Sequence, residues 1–184
     1  SGIYCNATPP TGVTAAAAGN NAILVDWNAV SGATQYTVHR AAASGGPYTQ
    51  IATISSPTTQ YTDTSVNGGV AYYYIVRTTT NCESGNSSEV TATSTGACNL
   101  TPVFGGLSAV TSPGDVGCSL DLTWVSATAQ CGGPVTYSIY RSTSSDFTPV
   151  LSNRIAVGIS GTSYQDASGL VQGTTYYYIV RATD

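Results

Sequence analysis

Tyr72-Tyr73-Tyr74-Ile75-Val76-Arg77 recurs letter for letter as Tyr176-Tyr177-Tyr178-Ile179-Val180-Arg181, so the 184-residue chain carries one structural unit twice. Further landmarks recur around that stretch. Trp27 answers Trp124, Tyr36-Thr37-Val38 answers Tyr137-Ser138-Ile139, and Tyr61-Thr62-Asp63 answers Tyr164-Gln165-Asp166. Each unit is about 100 residues long, the size of one ordinary domain. The expected division is 1–97 and 98–184. A domain that small buries only about two-thirds of its unfolded surface, so cross-links would help it. Five cysteines are present to supply them.

The spacing of apolar residues reads as strands throughout. Asn21 to Trp27 alternates with Ile23, Val25 and Trp27 on one face, and Ser119 to Val125 repeats this with Leu120, Leu122 and Trp124. Gln35 to Arg40 and Thr136 to Arg141 form the next pair. Short strands follow at Thr49 to Ile54 and Thr59 to Thr62, matched by Arg154 to Gly158 and Ser163 to Gln165. Gly, Pro, Asn and Ser punctuate every gap. The Ala15 to Ala18 run is too short, and too near Gly19, to stand as a helix. The expected class is all-β: two tandem antiparallel β-sandwiches, each built of short strands with a turn about every ten residues.

Composition narrows the setting. Charged residues are 8% of the chain, against roughly 25% in an ordinary soluble domain, and lysine and methionine are absent. Aromatic and β-branched residues are plentiful and regularly placed, which argues against disorder. The net charge is -4 and the five arginines are scattered singly, so no basic stripe exists for phosphates and nucleic acid is not an expected partner. No apolar run approaches the length that crosses a bilayer, so membrane insertion is not expected. Ser1 starts the chain with neither Met nor a signal sequence, the expectation for a processed product or a fragment. Cysteines without metal-ligand spacing in a lysine-free, Ser/Thr-rich β protein suit an oxidising, extracellular place.

At this point the residues carry a family resemblance. The inward Trp of the second strand and the Tyr-x-Val/Ile of the third belong to it, as does Leu170-x-x-Gly173-Thr174-x-Tyr176-x-Tyr178-x-Val180. Together they resemble the fibronectin type III pattern, with Val66-x-x-Gly69-x-x-Tyr72-x-Tyr74-x-Val76 as the copy in the first unit. Tyr72 and Tyr176 stand at the family's tyrosine-corner position, and Gly68-Gly69 stands where Pro-Gly is frequent. Cys131-Gly132-Gly133-Pro134 through Ser142 is similar to type III modules of large secreted bacterial proteins. That likeness implies a non-catalytic spacer, adhesive or assembly role. Fold alone names no ligand.

The first unit has a seventh strand at Ser88 to Thr95, whereas the second reaches Asp184 directly after its sixth. Two expectations follow: the natural polypeptide continues, or a neighbouring molecule supplies the strand, with Ser1 to Ala7 as a donor. Repeated head-to-tail, the second arrangement would give a filament.

In this topology Cys5 and Cys82 share one end of the first sandwich and form a sensible bridge. By the same logic Cys98 would pair beyond Asp184, leaving it as an intermolecular or unpaired thiol in this chain. Cys118 with Cys131 is the favoured second bridge, because both come with one inserted segment; Cys98 with Cys131 competes. The odd count leaves one thiol over.

Catalytic chemistry finds no footing. His39 is the single histidine and is expected on a solvated strand face, so no Ser-His-Asp arrangement is available. No Gly-x-Ser-x-Gly elbow or His-Glu-x-x-His motif occurs. The carboxylates are few and scattered, Asp115 and Asp121 bracketing the second strand rather than pairing. No metal site, cofactor or enzymatic activity is expected. The candidate interaction face is the outward side of the third and sixth strands: His39, Tyr73 and Ile75, then Tyr140, Tyr177 and Ile179. Such a face could meet a sugar ring or another subunit, or simply stabilise the sheet by cross-strand packing. Asn6, Asn86 and Asn99 each sit in Asn-x-Ser/Thr and read as surface-loop positions able to carry glycan.

The resulting expectation is a structural or assembly module that associates with itself head to tail. The alternative is a spacer or polysaccharide-binding accessory of a secreted hydrolase, partnered by neighbouring domains of a longer chain.

Overall fold

A computed structural model describes residues 6–114 and 118–184. The chain divides into two compact units, Ser1–Asn99 and Leu100–Asp184. The first has seven strands: β1 (Thr14–Ala17), β2 (Ile23–Asp26), β3 (Gln35–Ala41), β4 (Thr49–Ser55), β5 (Gln60–Asp63), β6 (Ala71–Thr79) and β7 (Val90–Thr93). They form a three-stranded sheet, β1-β2-β5, and a four-stranded sheet, β4-β3-β6-β7. The second unit has six: β8 (Leu107–Thr111), β9 (Leu120–Trp124), β10 (Thr136–Ser142), β11 (Arg154–Ile159), β12 (Ser163–Asp166) and β13 (Tyr177–Thr183). Its sheets run β8-β9-β12 and β11-β10-β13. Among the described residues the only helical turn is a 3-10 segment at Leu151–Asn153.

Alternation decides which side chains meet. In the first unit Ile23, Val25 and Trp27 from one sheet pack on Tyr36, Val38, Tyr74 and Val76 from the other. In the second, Leu122 and Trp124 pack on Tyr137, Ile139 and Val180. The paired Trp and Tyr rings tilt against each other at centroid distances of 5.3 Å (Trp27, Tyr36) and 5.2 Å (Trp124, Tyr137), an arrangement that satisfies the ring quadrupoles. Each of those tyrosines also accepts a backbone N–H from the loop after the Trp, Val30 at 2.9 Å and Ala127 at 2.7 Å, so its hydroxyl is not buried unpaired. The Ala15 to Ala18 run supplies most of β1, which is edge strand rather than helix because its neighbour β2 offers a full ladder, Thr14↔Asp26 to Ala17↔Ile23.

Candidate functional site

Three features could carry chemistry: the outer face of the larger sheets, a charged cluster inside each unit, and the cysteines. The outer face differs from expectation. His39 and Ile75 face each other across β3 and β6, yet they are buried at 7% and 2% exposure. The reason is a polar cover. His39 Nε2 lies 3.0 Å from Thr37 Oγ1, whose hydroxyl donates to Glu83 at 3.0 Å, while Arg77 binds Glu83 at 3.1 Å and Asn86 at 2.8 Å. Burial, then the Arg77 charge, lower the His39 pKa, with Glu83 opposing them. In the second unit Tyr140 is likewise buried, with Arg181 over its ring at 5.7 Å. Tyr73 and Ile179 are half-buried, and Tyr177 alone of the six is exposed. The expected solvated histidine is therefore corrected: His39, Ile75 and Tyr140 are packed into their sheets, while Tyr177 stays open to solvent.

The charged cluster was not anticipated. Asp63, fully buried, accepts from Arg40 at 2.7 Å, from the Tyr74 hydroxyl at 3.0 Å, and from the Ser65 hydroxyl and amide at 2.7 and 2.9 Å. Asp166 is its counterpart, holding Arg141 at 2.7 Å and the Tyr178 hydroxyl at 2.7 Å. Arg40 and Arg141 also cover the rings of Tyr72 and Tyr176 at 5.0 and 5.2 Å. Burial alone would raise the Asp63 carboxyl, but the Ser65 bonds and Arg40 outweigh it and hold it below the ordinary value. Burial, followed by the neighbouring carboxylate, pushes the Tyr74 and Tyr178 phenols up. In each cluster the carboxylate is bonded at once by the guanidinium and the phenol, which makes it a fastening rather than a reaction centre. The signal was visible as Arg40/Arg141 and Asp63/Asp166 repeating in both units, although the carboxylates taken singly look scattered.

The tyrosine corners follow. The Tyr72 hydroxyl accepts from the Asn67 N–H at 3.1 Å, and that of Tyr176 from the Val171 N–H at 3.0 Å.

The cysteines require two corrections. Cys82, Cys98 and Cys131 are disulfide-bonded, while Cys118 is a free, exposed thiol. Cys98 is therefore not the spare thiol, and Cys118 does not pair with Cys131. Cys118 lies just before β9, whereas Cys131 lies in the loop seven residues beyond its end. The loop carrying Cys131 is instead tied to the start of the unit. Val103 and Thr128 exchange two backbone bonds of 2.9 Å, and the Cys131 sulfur lies 3.4 Å from the Leu100 carbonyl. Cys5, the Ser1 to Ala7 donor beyond Asn6 and Ala7, and Asp115 lie outside the described residues. Asn6, Asn86 and Asn99 are exposed. Among the described residues no group of three or more His, Cys, Asp or Glu could hold a metal, and no helix is long and apolar enough to cross a membrane.

Two antiparallel sandwiches with matching strand orders, each carrying a Trp core and a tyrosine corner, define the class as tandem type III sandwiches. No family model matches the chain. It is 41% identical to an Fn3-like protein from Clostridium thermocellum, covering 95% of that chain and 49% of this one, with a TM-score of 0.46. By that identity and coverage, the chain belongs to the fibronectin type III-like family. It is also similar to Exoglucanase B of Cellulomonas fimi, 29% identical over 96% of this chain. A third similarity is to the Amylopullulanase of Thermoanaerobacter thermohydrosulfuricus, 37% identical over 47% of this chain. The chain spans 15% and 6% of the lengths of those two relatives.

Proposed function

We propose that the two domains are a non-catalytic spacer within a larger secreted polysaccharide-degrading enzyme. The observation that carries this reading is the alignment of 96% of the chain, both domains together, with a 15% share of Exoglucanase B. A tandem pair recurring as a small part of a large enzyme is an accessory to a reaction performed elsewhere in it. The chemistry agrees: the buried carboxylates of the Arg-Asp-Tyr clusters are taken up by neighbouring side chains, and Tyr177 is the one exposed aromatic of the candidate outer face. Low charge, absent lysine and disulfide-bonded cysteines suit service outside the cell. The same alignment favours this role over self-assembly into a filament, because the relatives are enzymes and not fibre proteins.

The test is co-sedimentation of the 184-residue protein with insoluble cellulose and with granular starch, alongside a reducing-sugar assay on soluble glucans. A spacer stays in the supernatant and releases no sugar. Depletion from the supernatant would replace the spacer with a carbohydrate-binding accessory, and released sugar would overturn both.

A further inference from the structure

His39, the single histidine of the chain, lies buried on the outward side of β3, and its hydrogen bonds lead off that strand. Thr37 has one hydroxyl hydrogen and donates it to Glu83 at 3.0 Å. Its oxygen is left to accept from His39 Nε2 at 3.0 Å, which fixes the neutral imidazole with its proton on that nitrogen. The other Glu83 oxygen holds Arg77 at 3.1 Å. One chain of bonds thus runs from β3 through the connection 80–89 to Arg77 on β6. Within the connection, the Ser84 N–H donates to the Thr78 carbonyl at 2.8 Å and the Ser87 N–H to that of Val76 at 3.0 Å. Ser84 and Ser87 therefore tie the connection to β6, and Glu83 ties it to β3.

The second domain is built without the imidazole. Counting from the paired tyrosines Tyr36 and Tyr137, Tyr140 stands at the place of His39 and Ser138 at that of Thr37, and the shared hexapeptide puts Arg181 at that of Arg77. There the arginine lies over the Tyr140 ring at 5.7 Å, and a phenol, unlike an imidazole, gains no charge on acidification. The groups around His39 sharpen the contrast. β6 sets Ile75 opposite it and β4 sets Gln50, and no residue of β4 or β7 ionises. On the outward side of β6, Tyr73 and Arg77 flank Ile75, while Arg40 of β3 turns inward to Asp63. The charges that meet His39 are thus Arg77, which repels an imidazolium, and Glu83, which attracts one but is already shared by Arg77 and Thr37.

We infer that His39 is a proton-operated release for the connection 80–89 of the first domain. The imidazole is covered by the Glu83 and Arg77 side chains, so it reaches water only when Glu83 leaves Thr37 and the connection lifts from the sheet. Burial and then Arg77 lower the proton affinity of the covered ring, and Glu83 offsets them only in part. The lifted form, with its imidazole in water, accordingly takes the proton first. The closed form is favoured above the ordinary histidine value of 6.5 and gives way progressively as pH falls below it. Cys82 is disulfide-bonded, so the lifted connection stays tethered and closes again when the proton leaves. The release operates whether or not the pair acts as a spacer.

The test is amide hydrogen exchange of the whole 184-residue protein followed by NMR, each rate referred to that of an unstructured peptide at the same pH. Between pH 7.5 and pH 5.0 the protection of the Ser84 N–H should fall about tenfold or more. Dilute urea should leave that exchange unchanged while speeding exchange at Val38, because a local opening exposes little surface and unfolding exposes much. His39→Tyr should abolish the fall, and it keeps the fold on the precedent of Tyr140 beneath Arg181. Glu83→Gln should leave Ser84 less protected already at pH 7.5. It should also move the midpoint of the His39 imidazole resonances further down, since Glu83 is the group that raises it. A purely structural Glu83 would not move that midpoint. Protection of Ser84 that ignores pH, an equal fall in His39→Tyr, or a His39 midpoint unmoved by Glu83→Gln overturns the inference. So does exchange at Ser84 that rises with urea as steeply as at Val38, which would assign the effect of acid to unfolding of the entire domain.

Discussion

Asp63 shows most plainly how a single side chain holds a domain. Removing its charge by Asp63→Asn leaves Arg40, itself mostly covered, without its partner, and weakens the Tyr74 and Ser65 bonds. The expected cost is about 3 kcal/mol of first-domain stability, read from urea unfolding followed by Trp27 fluorescence. Asp63 also predicts an acid limb. Its folded pKa is depressed, so the stability it contributes is complete above the ordinary carboxylate value and is lost as pH falls through the lower folded value. The urea midpoint should fall on acidification below about pH 4, and Asp63→Asn should flatten that fall. His39 acts in another window and with its own sign. Its folded pKa is lowered, so the unfolded chain takes up the proton first and stability declines as pH drops through the unfolded value near 6.5. His39→Gln should remove that slope, measured as the urea midpoint between pH 7.5 and 5.5. Residues of this kind were only half legible in the sequence. Arg40, Asp63 and their repeats Arg141 and Asp166 could be seen to recur, but that they meet depends on β3, β5 and β6 being brought together across the sandwich.

At the scale of elements, strands with clear alternation were legible and connections were not. The expectation for Gln35 to Arg40 became Gln35–Ala41, and that for Thr136 to Arg141 became Thr136–Ser142, because period-two burial against a Trp leaves no other solution. The favoured Cys118–Cys131 pairing failed because proximity in sequence around β9 says nothing of distance in space; Cys131 is disulfide-bonded and Cys118 is not. β6 and β13 provide an internal control. Their shared hexapeptide has identical intrinsic exchange chemistry, so any difference reports environment alone. The amides of Tyr74 and Val76 should exchange at least about a hundredfold more slowly than those of Tyr178 and Val180 in the 184-residue protein. Equal rates would mean that β7 contributes little to closing the first domain. The tyrosine corners can be compared in the same way: Tyr72→Phe should cost about 1 kcal/mol, and Tyr176→Phe less, because its hydroxyl remains open to water.

For the whole molecule, the two domains predict two unfolding transitions. The first domain buries Ile23, Val25, Tyr36, Val38, Tyr74 and Val76 completely, whereas Tyr178 in the second is only half-buried. Scanning calorimetry should resolve a less stable second domain, and Trp124→Phe should lower that transition while leaving the other in place. The class, the repeat and the strand positions were readable along the chain, because each is written as a local period or an identical word, and the family resemblance added the corner tyrosines. The sequence also established the charge-poor composition from which a setting outside the cell is argued. That His39 and Ile75 are covered, and that Cys118 is the free thiol, emerged from packing in three dimensions. It alone joined the Arg-Asp-Tyr fastening. These are properties of residues far apart along the chain, and alternation states which side a residue faces without stating what lies opposite it.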